Sequence, residues 1–188
     1  FAGTMASPGI VNGTGTAAKF NRPCGLAIDA QDNIYVADAS NNVVRKITPA
    51  GVVSTFAGAG TAGSADGAAT TATFNSPTDV AITPAGVMYV ADQVNHVIRK
   101  IENGQVTTIA GLAGTLGNVN GTGSAARFNQ PSWVTLAPDG TLLIRDGANS
   151  GNIRKLDPAT GVVTSFAAGT ASLYSGVGVD SSGLAYAA

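Results

Sequence analysis

The stretch FNRPCGLAIDAQDNIYVADASNNVVRKI, residues 20–47, decides the fold because the chain repeats it. A second version, FNSPTDVAITPAGVMYVADQVNHVIRKI, occupies residues 74–101, and a third, FNQPSWVTLAPDGTLLIRDGANSGNIRKL, occupies residues 128–156. The sequence ends in a shorter fourth version, GVGVDSSGLAYAA, at residues 176–188. The first three versions start 54 residues apart. A fixed period of this length indicates one supersecondary unit that is used several times.

Each unit contains four short runs of apolar and β-branched residues. In the first unit they read LAID, NIYVAD, NVVRKI and VVSTFAG, and turn residues such as the pair Asp32-Asn33 separate them. Four short strands joined by tight turns, repeated along the chain, predict the blades of a β-propeller. We therefore predict an all-β chain that forms one propeller domain over residues 1–188. The predicted four-stranded antiparallel blades cover residues 20–58, 74–111 and 128–168, with a partial blade at 175–188.

The two ends of the sequence are incomplete blades. The Phe-Ala-Gly at residues 1–3 matches the close of a fourth run, and the last unit stops after two runs. Three whole blades do not close a ring, and open edge strands tend to pair with other strands. We therefore expect either that residues 1–188 are part of a longer propeller or that copies associate through the incomplete blade edges.

Composition narrows the classes of partner. The net charge is −1 and the pI is near 5.6. Six of the ten basic residues belong to the three repeated Arg-Lys pairs. This balance argues against a nucleic-acid partner, and no apolar run reaches the roughly 18 residues that a membrane span needs. The single cysteine excludes an intrachain disulfide.

An acid and an arginine recur in every unit. The acid closes the second run and the arginine stands in the third, so a short turn between antiparallel strands brings the two side chains together. We predict one structural ion pair in each unit: Asp38 with Arg45, Asp92 with Arg99, and Asp146 with Arg154. The alternative is a ring of arginines that binds phosphate, but a binding site seldom needs a residue from every copy.

Two side chains with reactive chemistry have simpler interpretations. Cys24 aligns with Thr78 and Ser132, so we predict a small core residue and not a nucleophile. His96 is the sole histidine, aligns with Asn42 and is predicted to lie exposed in a turn. One histidine does not supply the His-rich set that zinc chemistry usually needs. We therefore predict no metal site, no cofactor and no catalytic residues.

The repeated pattern resembles the NHL repeat family. The resemblance rests on AAKFNRPCGLAID, NIYVAD and NVVRKI in the first unit, and it recurs in the second. It implies a propeller, commonly of six blades. It implies no single activity, because the family includes ligand-binding, RNA-binding, scaffolding and lyase members. The linkers of the form FAG…DG…FN resemble those of secreted or envelope-associated members, which implies an extracellular or cell-envelope location.

The third unit departs from the other two at three positions. Trp133 stands where the earlier units have Gly25 and Asp79, and Thr135 and Arg145 stand where they have alanines. Trp and Arg are favoured as binding anchors. We therefore predict that Trp133, Arg145 and Thr135 contact a sugar, a peptide or a protein partner. The alternative is that Trp133 only fills space beside a smaller neighbour.

Two linkers carry an acceptor triplet for N-glycosylation. Asn12 and Asn120 each begin an Asn-Gly-Thr sequence, which satisfies the N-x-[ST] rule. We predict glycosylation at both if the protein passes through a eukaryotic secretory pathway. The alternative is that Asn-Gly is only the turn that the linker needs, since the middle copy has Asp66 at this position.

These observations predict a non-catalytic extracellular or cell-envelope propeller that acts as a binding or structural scaffold for a protein or glycan partner. Two alternatives stay open. The first is an RNA-binding domain, in which Lys19, Arg22 and Arg127 beside the FN motif would form a basic patch. The second is a propeller enzyme of lyase or hydrolase type whose site would lie in blades outside this sequence.

Overall fold

The described residues form four antiparallel sheets. The computed structural model describes residues 1–147, 152–167, 177–180, 182 and 185–187. These residues contain no α-helix, so none of them forms a helix that could cross a membrane.

The strands of the first sheet are β1 (Gly13–Thr14), β2 (Pro23–Ile28), β3 (Ile34–Asp38), β4 (Val43–Ile47) and β5 (Val52–Ala57). Those of the second are β6 (Gly67–Ala68), β7 (Pro77–Ile82), β8 (Met88–Asp92), β9 (Val97–Glu102) and β10 (Gln105–Gly111). Those of the third are β11 (Gly121–Thr122), β12 (Trp133–Leu136), β13 (Leu142–Asp146), β14 (Asn152–Leu156) and β15 (Val162–Ala167). The last pair is β16 (Val177–Val179) and β17 (Ala185–Ala187), and 3-10 turns occupy Gly15–Ala17, Ala39–Asn41 and Gly123–Ala125.

The first three sheets share one strand order. It is β1-β5-β4-β3-β2 in the first, β6-β10-β9-β8-β7 in the second and β11-β15-β14-β13-β12 in the third. Four consecutive strands make the predicted meander, and a two-residue strand from the preceding linker adds a fifth at the outer edge. The innermost strands β2, β7 and β12 lie side by side, with β16 next to β12. The chain is therefore an all-β propeller whose blades are the repeated units, as the sequence predicts.

Apolar side chains fill the space between neighbouring sheets. Phe74 of the FN motif is fully buried and shares a core cluster with Tyr35 and Val44 of the first sheet. Phe128 takes the same place between the second and third sheets, in a cluster with Tyr89. Full burial of such a ring stabilises the fold by about 1.5–3 kcal/mol. The phenylalanines of the second and third motifs thus join their own blades to the ones before them.

A hydrogen bond at the start of β7 and another at the start of β12 also link neighbouring sheets. Ser76 and Gln130 adopt positive φ angles of 55° and 58°. Their N–H groups donate to Asn42 Oδ1 at 2.9 Å and to His96 Nδ1 at 3.1 Å on the preceding sheet. His96 does lie in a turn, but the prediction that it is exposed is wrong. Only 9% of His96 is exposed, because its ring lies between two neighbouring sheets and accepts the hydrogen bond from Gln130 N.

The inner strand of the first sheet has an open face. Cys24 is exposed, so the prediction of a small core residue is also wrong. Its counterpart Thr78 is buried because the first sheet covers β7, whereas no described sheet covers β2. Leu26 and Ile28 are 58% and 56% exposed for the same reason, whereas Val80, the counterpart of Leu26, is 3% exposed.

Candidate binding site at the inner strands

A buried Asp–Arg pair forms in each of the first three sheets. The pairs join Asp38 to Arg45 at 3.0 Å, Asp92 to Arg99 at 2.8 Å and Asp146 to Arg154 at 3.0 Å. No more than 1% of any of these side chains is exposed. Because the guanidinium groups are enclosed, they cannot present a ring of positive charge to a phosphate ligand.

The other donors of each guanidinium hold the linker in place. Arg45 Nη1 donates to Lys19 O at 2.9 Å, and Nη2 donates to Val11 O at 3.1 Å and to Asn12 Oδ1 at 2.8 Å. The guanidinium carbon lies 5.0 Å from the centre of the Phe20 ring, within the range of a cation–π interaction. The arginines of the second and third sheets repeat all four contacts. One side chain therefore ties a blade, its linker and its FN motif together.

The carboxylates of the repeated acids also have hydrogen-bond partners within the fold. Asp92 Oδ1 accepts from Asn75 N at 2.8 Å, and Oδ2 accepts from Asn95 Nδ2 and from Arg99 Nη1, both at 2.8 Å. The same three bonds form at Asp38. Burial raises the pKa of Asp92, and the N–H donors and the charge of Arg99 oppose that rise. These carboxylates serve the architecture and face no open space.

The two predicted glycosylation sites belong to the same network. Asn12 Oδ1 accepts from Arg45 at 2.8 Å, and Asn120 Oδ1 accepts from Arg154 at 2.7 Å. In the second sheet the carboxylate of Asp66 takes this place. These amides bond the arginines through Oδ1, whereas an N-linked glycan is carried by Nδ2. The position therefore has a structural role, and glycosylation stays a prediction.

The three departures of the third unit lie on one face of the third sheet. Trp133 and Arg145 are directly opposite each other in the β12–β13 register, and Thr135 is opposite Leu143. Trp133 packs against Leu143 and Ile153, so it does fill space between apolar neighbours. Arg145 Nη1 donates to the hydroxyl of a serine at the start of the inner strand at 2.8 Å. The three residues are thus brought together, with Trp133 at their centre.

Asp79 is a site residue that sequence reasoning missed. It occupies the repeat position of Gly25 and Trp133, and only 3% of it is exposed. Its Oδ2 accepts from Val134 N, the amide that follows Trp133, at 2.9 Å. Burial raises the pKa of Asp79 to about 7, and the amides of Val134 and Val80 oppose that rise. The signal available in the sequence was that an acid appears in one copy alone.

A cavity of about 470 Å³ lies along the three inner strands. It is lined by Leu26 and Ile28 of β2, Asp79 of β7, Trp133 and Thr135 of β12, and their neighbours. The carboxyl group of Asp79 is the only ionisable group of this lining. A concave, largely apolar surface with a single fixed polar group is typical of a ligand site. Arg145 does not belong to the cavity lining, although it lies opposite Trp133 on the neighbouring strand.

The single histidine and the single cysteine of the sequence have bonding partners within the fold. His96 Nδ1 is occupied by the amide of Gln130, and burial lowers the pKa of this imidazole. Cys24 Sγ lies 3.4 Å from Arg22 O. Among the described residues no three His, Cys, Asp or Glu side chains lie close enough to hold a metal ion.

Residues 20–47, the Asp38–Arg45 unit of the first blade, match the family model of the NHL repeat. The chain contains an NHL repeat. It is 36% identical over 168 residues to the chloroplastic protein SUPPRESSOR OF QUENCHING 1 of Arabidopsis thaliana, a match that covers 85% of this chain and 16% of that protein. Human NHL repeat-containing protein 2 is 27% identical over 161 residues, covering 78% of this chain and 22% of that protein.

A solved structure shows the same arrangement of sheets. A protein of unknown function from Bacteroides thetaiotaomicron superposes with a TM-score of 0.60 at 26% identity, covering 73% of this chain and 32% of that one. The NHL-repeat chain thus spans only 16% and 22% of the two relatives. The NHL match therefore describes its blades and does not identify a ligand or an activity.

Proposed function

We propose that this NHL-repeat chain is a non-catalytic propeller that binds a ligand or partner and acts as a scaffold, outside the cell or in the cell envelope. The observation that carries the proposal is the cavity at the inner strands, which Asp79, Trp133 and Thr135 line. These residues differ from their counterparts in the other repeats, whereas the repeated Asp and Arg residues are engaged in hydrogen bonds within the fold. An unrepeated side chain on a concave surface can serve a ligand without loss of architecture.

The occupied acids support a binding function over a catalytic one. An enzyme needs a nucleophile or a base within reach of its substrate. Asp38 and Asp92 each accept three hydrogen bonds and are enclosed. A propeller enzyme with its catalytic groups on further blades is the alternative. Asp79 supports that alternative, since burial raises its pKa to about 7, which suits a general acid or base.

The basic residues beside the FN motif give little support to RNA binding. Arg22 Nη2 donates to Ser76 Oγ at 2.8 Å. Arg127 Nη1 donates to the carbonyl groups of Ser124 and Ala126. Both guanidinium groups are therefore bound within the protein, and the net charge of −1 supplies no wider attraction to phosphate.

Self-association is part of the proposed scaffold role. Leu26 and Ile28 form an exposed apolar face on β2, whereas the equivalent Val80 is covered by a sheet. A further sheet of the same kind would cover this face. Sedimentation over a wide concentration range should show oligomers that Leu26→Lys dissociates, and a wild-type monomer at every concentration would remove self-association from the proposal.

Binding at the cavity is tested with immobilised panels of glycans and peptides and two variants of the chain. Trp133→Leu keeps apolar volume against Leu143 and Ile153 but removes the indole, and Trp133→Phe keeps an aromatic ring. We expect wild type to bind at least one panel member and the Leu variant to bind it at least about tenfold more weakly. The Phe variant should retain most of the affinity. With circular dichroism showing both variants folded, equal binding by all three proteins would contradict the proposal.

A further inference from the structure

We propose that the inner-strand cavity binds the ammonium group of an aliphatic amine, with the alkyl chain of the amine against the apolar lining. The two sources of this chemistry are a small free amine and a lysine side chain of a partner protein. The inference rests on the binding function proposed above and specifies the class of ligand.

The first argument is the charge of the cavity. The twelve lining residues comprise one acid, Asp79, and otherwise apolar residues, one threonine and one tryptophan. No lysine, arginine or histidine belongs to the lining. The cavity therefore attracts positive charge when Asp79 is ionised and repels an anion. Arg145, on the same sheet face as Trp133, is bonded to Ser132 Oγ.

The second argument is that the carboxylate of Asp79 lacks the cation that every repeated buried acid has. Asp38, Asp92 and Asp146 each lie within 3.0 Å of an arginine nitrogen. Among the described residues no such nitrogen forms an ion pair with Asp79. A buried carboxylate is costly unless a positive group compensates it. A ligand ammonium group would supply that compensation.

The third argument is that the carboxylate is held in place before a ligand arrives. The Val134 amide donates to Oδ2 at 2.9 Å. The other oxygen lies against Gly25, where a Cβ atom would overlap it. A group fixed on both sides loses little conformational freedom on binding, which favours affinity.

The rest of the lining selects an organic cation over a metal ion. A single carboxylate is a poor ligand set for Ca²⁺ or Mg²⁺, which need several oxygen atoms. The indole of Trp133 attracts organic cations through its π face. Ile82, Pro84 and Leu136 offer apolar surface to a methylene chain. An alkylammonium ion uses all three kinds of contact.

Binding should release a proton to the solvent. Burial raises the pKa of Asp79 to about 7, so a large fraction of the carboxyl groups is protonated near neutral pH. An alkylammonium ion stays charged there and binds the ionised form. Its affinity should therefore rise as the pH rises through about 7.

The test uses the fluorescence of Trp133, the only tryptophan in the chain. The 188-residue protein is titrated at about pH 8, where Asp79 is mostly ionised, with hexylammonium, hexan-1-ol and hexanoate. We expect a saturable change with hexylammonium at an affinity at least about tenfold above that of hexan-1-ol, and no saturation with hexanoate. Asp79→Asn should reduce hexylammonium to the hexan-1-ol level. Asp32→Asn, in an exposed turn, is the matched control and should change nothing.

A second arm separates the two sources. Nα-acetyl-lysine N-methylamide presents a lysine side chain between peptide groups, and its affinity relative to hexylammonium shows whether the site accepts a peptide-linked amine. Absence of saturation with hexylammonium would overturn the inference, and so would an unchanged affinity in Asp79→Asn. Equal binding of hexylammonium and hexan-1-ol would overturn the ammonium class alone, since cavity binding would stand. Loss of panel binding in Trp133→Leu would still support the proposed function in that case.

Discussion

The carboxylate of Asp79 occupies the space that a side chain on Gly25 would need. A Cβ atom at residue 25 would overlap Asp79 Oδ1 and would lie 2.9 Å from the Asp79 Cα atom. The two residues hold the same position in successive repeats, 54 residues apart. An acid at this position in one blade is therefore compatible with glycine in the preceding blade and with little else. The departures from the repeat are coupled across blades.

Gly25→Ala should destabilise the protein by about 1–3 kcal/mol, because the added methyl group meets a close-packed neighbour. Asp79→Gly in the same chain should restore part of this loss, since it removes the overlapping oxygen but leaves the Cα atom in place. Urea unfolding of the two single variants and the double variant measures the coupling. Strictly additive losses would show that the two positions do not touch.

The stability contribution of Asp79 should fall as the pH rises. Its usual pKa is 3.8 and burial raises it to about 7 in the folded state, so between these values the unfolded chain binds fewer protons than the folded one. The contribution is fully present below pH 3.8 and is lost as the pH rises through about 7. Asp79→Asn should remove this loss, so the difference in unfolding free energy between variant and wild type should grow with pH. A difference independent of pH would contradict the burial argument.

His96 should give the opposite dependence. Its Nδ1 accepts the Gln130 amide, and burial lowers its pKa from the usual 6.5. The unfolded chain then takes up more protons, so stability is lost as the pH falls from 6.5 through the folded pKa. His96→Asn should remove the dependence, because Asn42 makes the same bond to Ser76 in the first blade. Urea unfolding of both proteins between about pH 5 and pH 8 checks this, and parallel profiles would contradict it.

The linker asparagines should behave as acceptors for arginine. Asn12→Asp should be tolerated, because Asp66 serves Arg99 in the second blade at 2.8 Å. Asn12→Ala should cost about 1–3 kcal/mol, because it leaves a buried donor of Arg45 unsatisfied. Thermal unfolding ranks the two variants, and equal midpoints would mean that the Asn12–Arg45 bond contributes nothing.

The repeats made the fold predictable, because each repeated position shows three times which type of residue the fold needs there. The four runs predicted the meander, and the recurring acid and arginine predicted the pairs that the sheets bury. The hydrogen bonds between the linkers and the repeated arginines could not be predicted. Asn12 meets an arginine 33 residues later, and its Asn-Gly-Thr sequence indicates a glycosylation site equally well.

The candidate binding site could be predicted only in part, because one of its residues does not stand out in the sequence. Trp133 was conspicuous as a large residue among small ones, whereas Asp79 looked like an ordinary polar residue in a strand. Its burial depends on Gly25 of the preceding blade and on the amide of Val134 in the following one. Such contacts become visible only when the inner strands are placed side by side. The same holds for His96, whose ring is enclosed by the next blade.

The central claim is that repeated acids build the propeller and that the unrepeated acid serves a ligand. Its most direct test is the free energy of unfolding in urea at about pH 8 for wild type, Asp92→Asn and Asp79→Asn, two isosteric changes at buried carboxylates. Asp92→Asn should lose about 3–5 kcal/mol, because it removes the buried carboxylate that pairs with Arg99 and leaves only Asp66, whose side chain is 47% exposed. Asp79→Asn should be at least as stable as wild type, because it keeps an acceptor for Val134 and removes an uncompensated charge. A loss in Asp79→Asn as large as that in Asp92→Asn would contradict the claim.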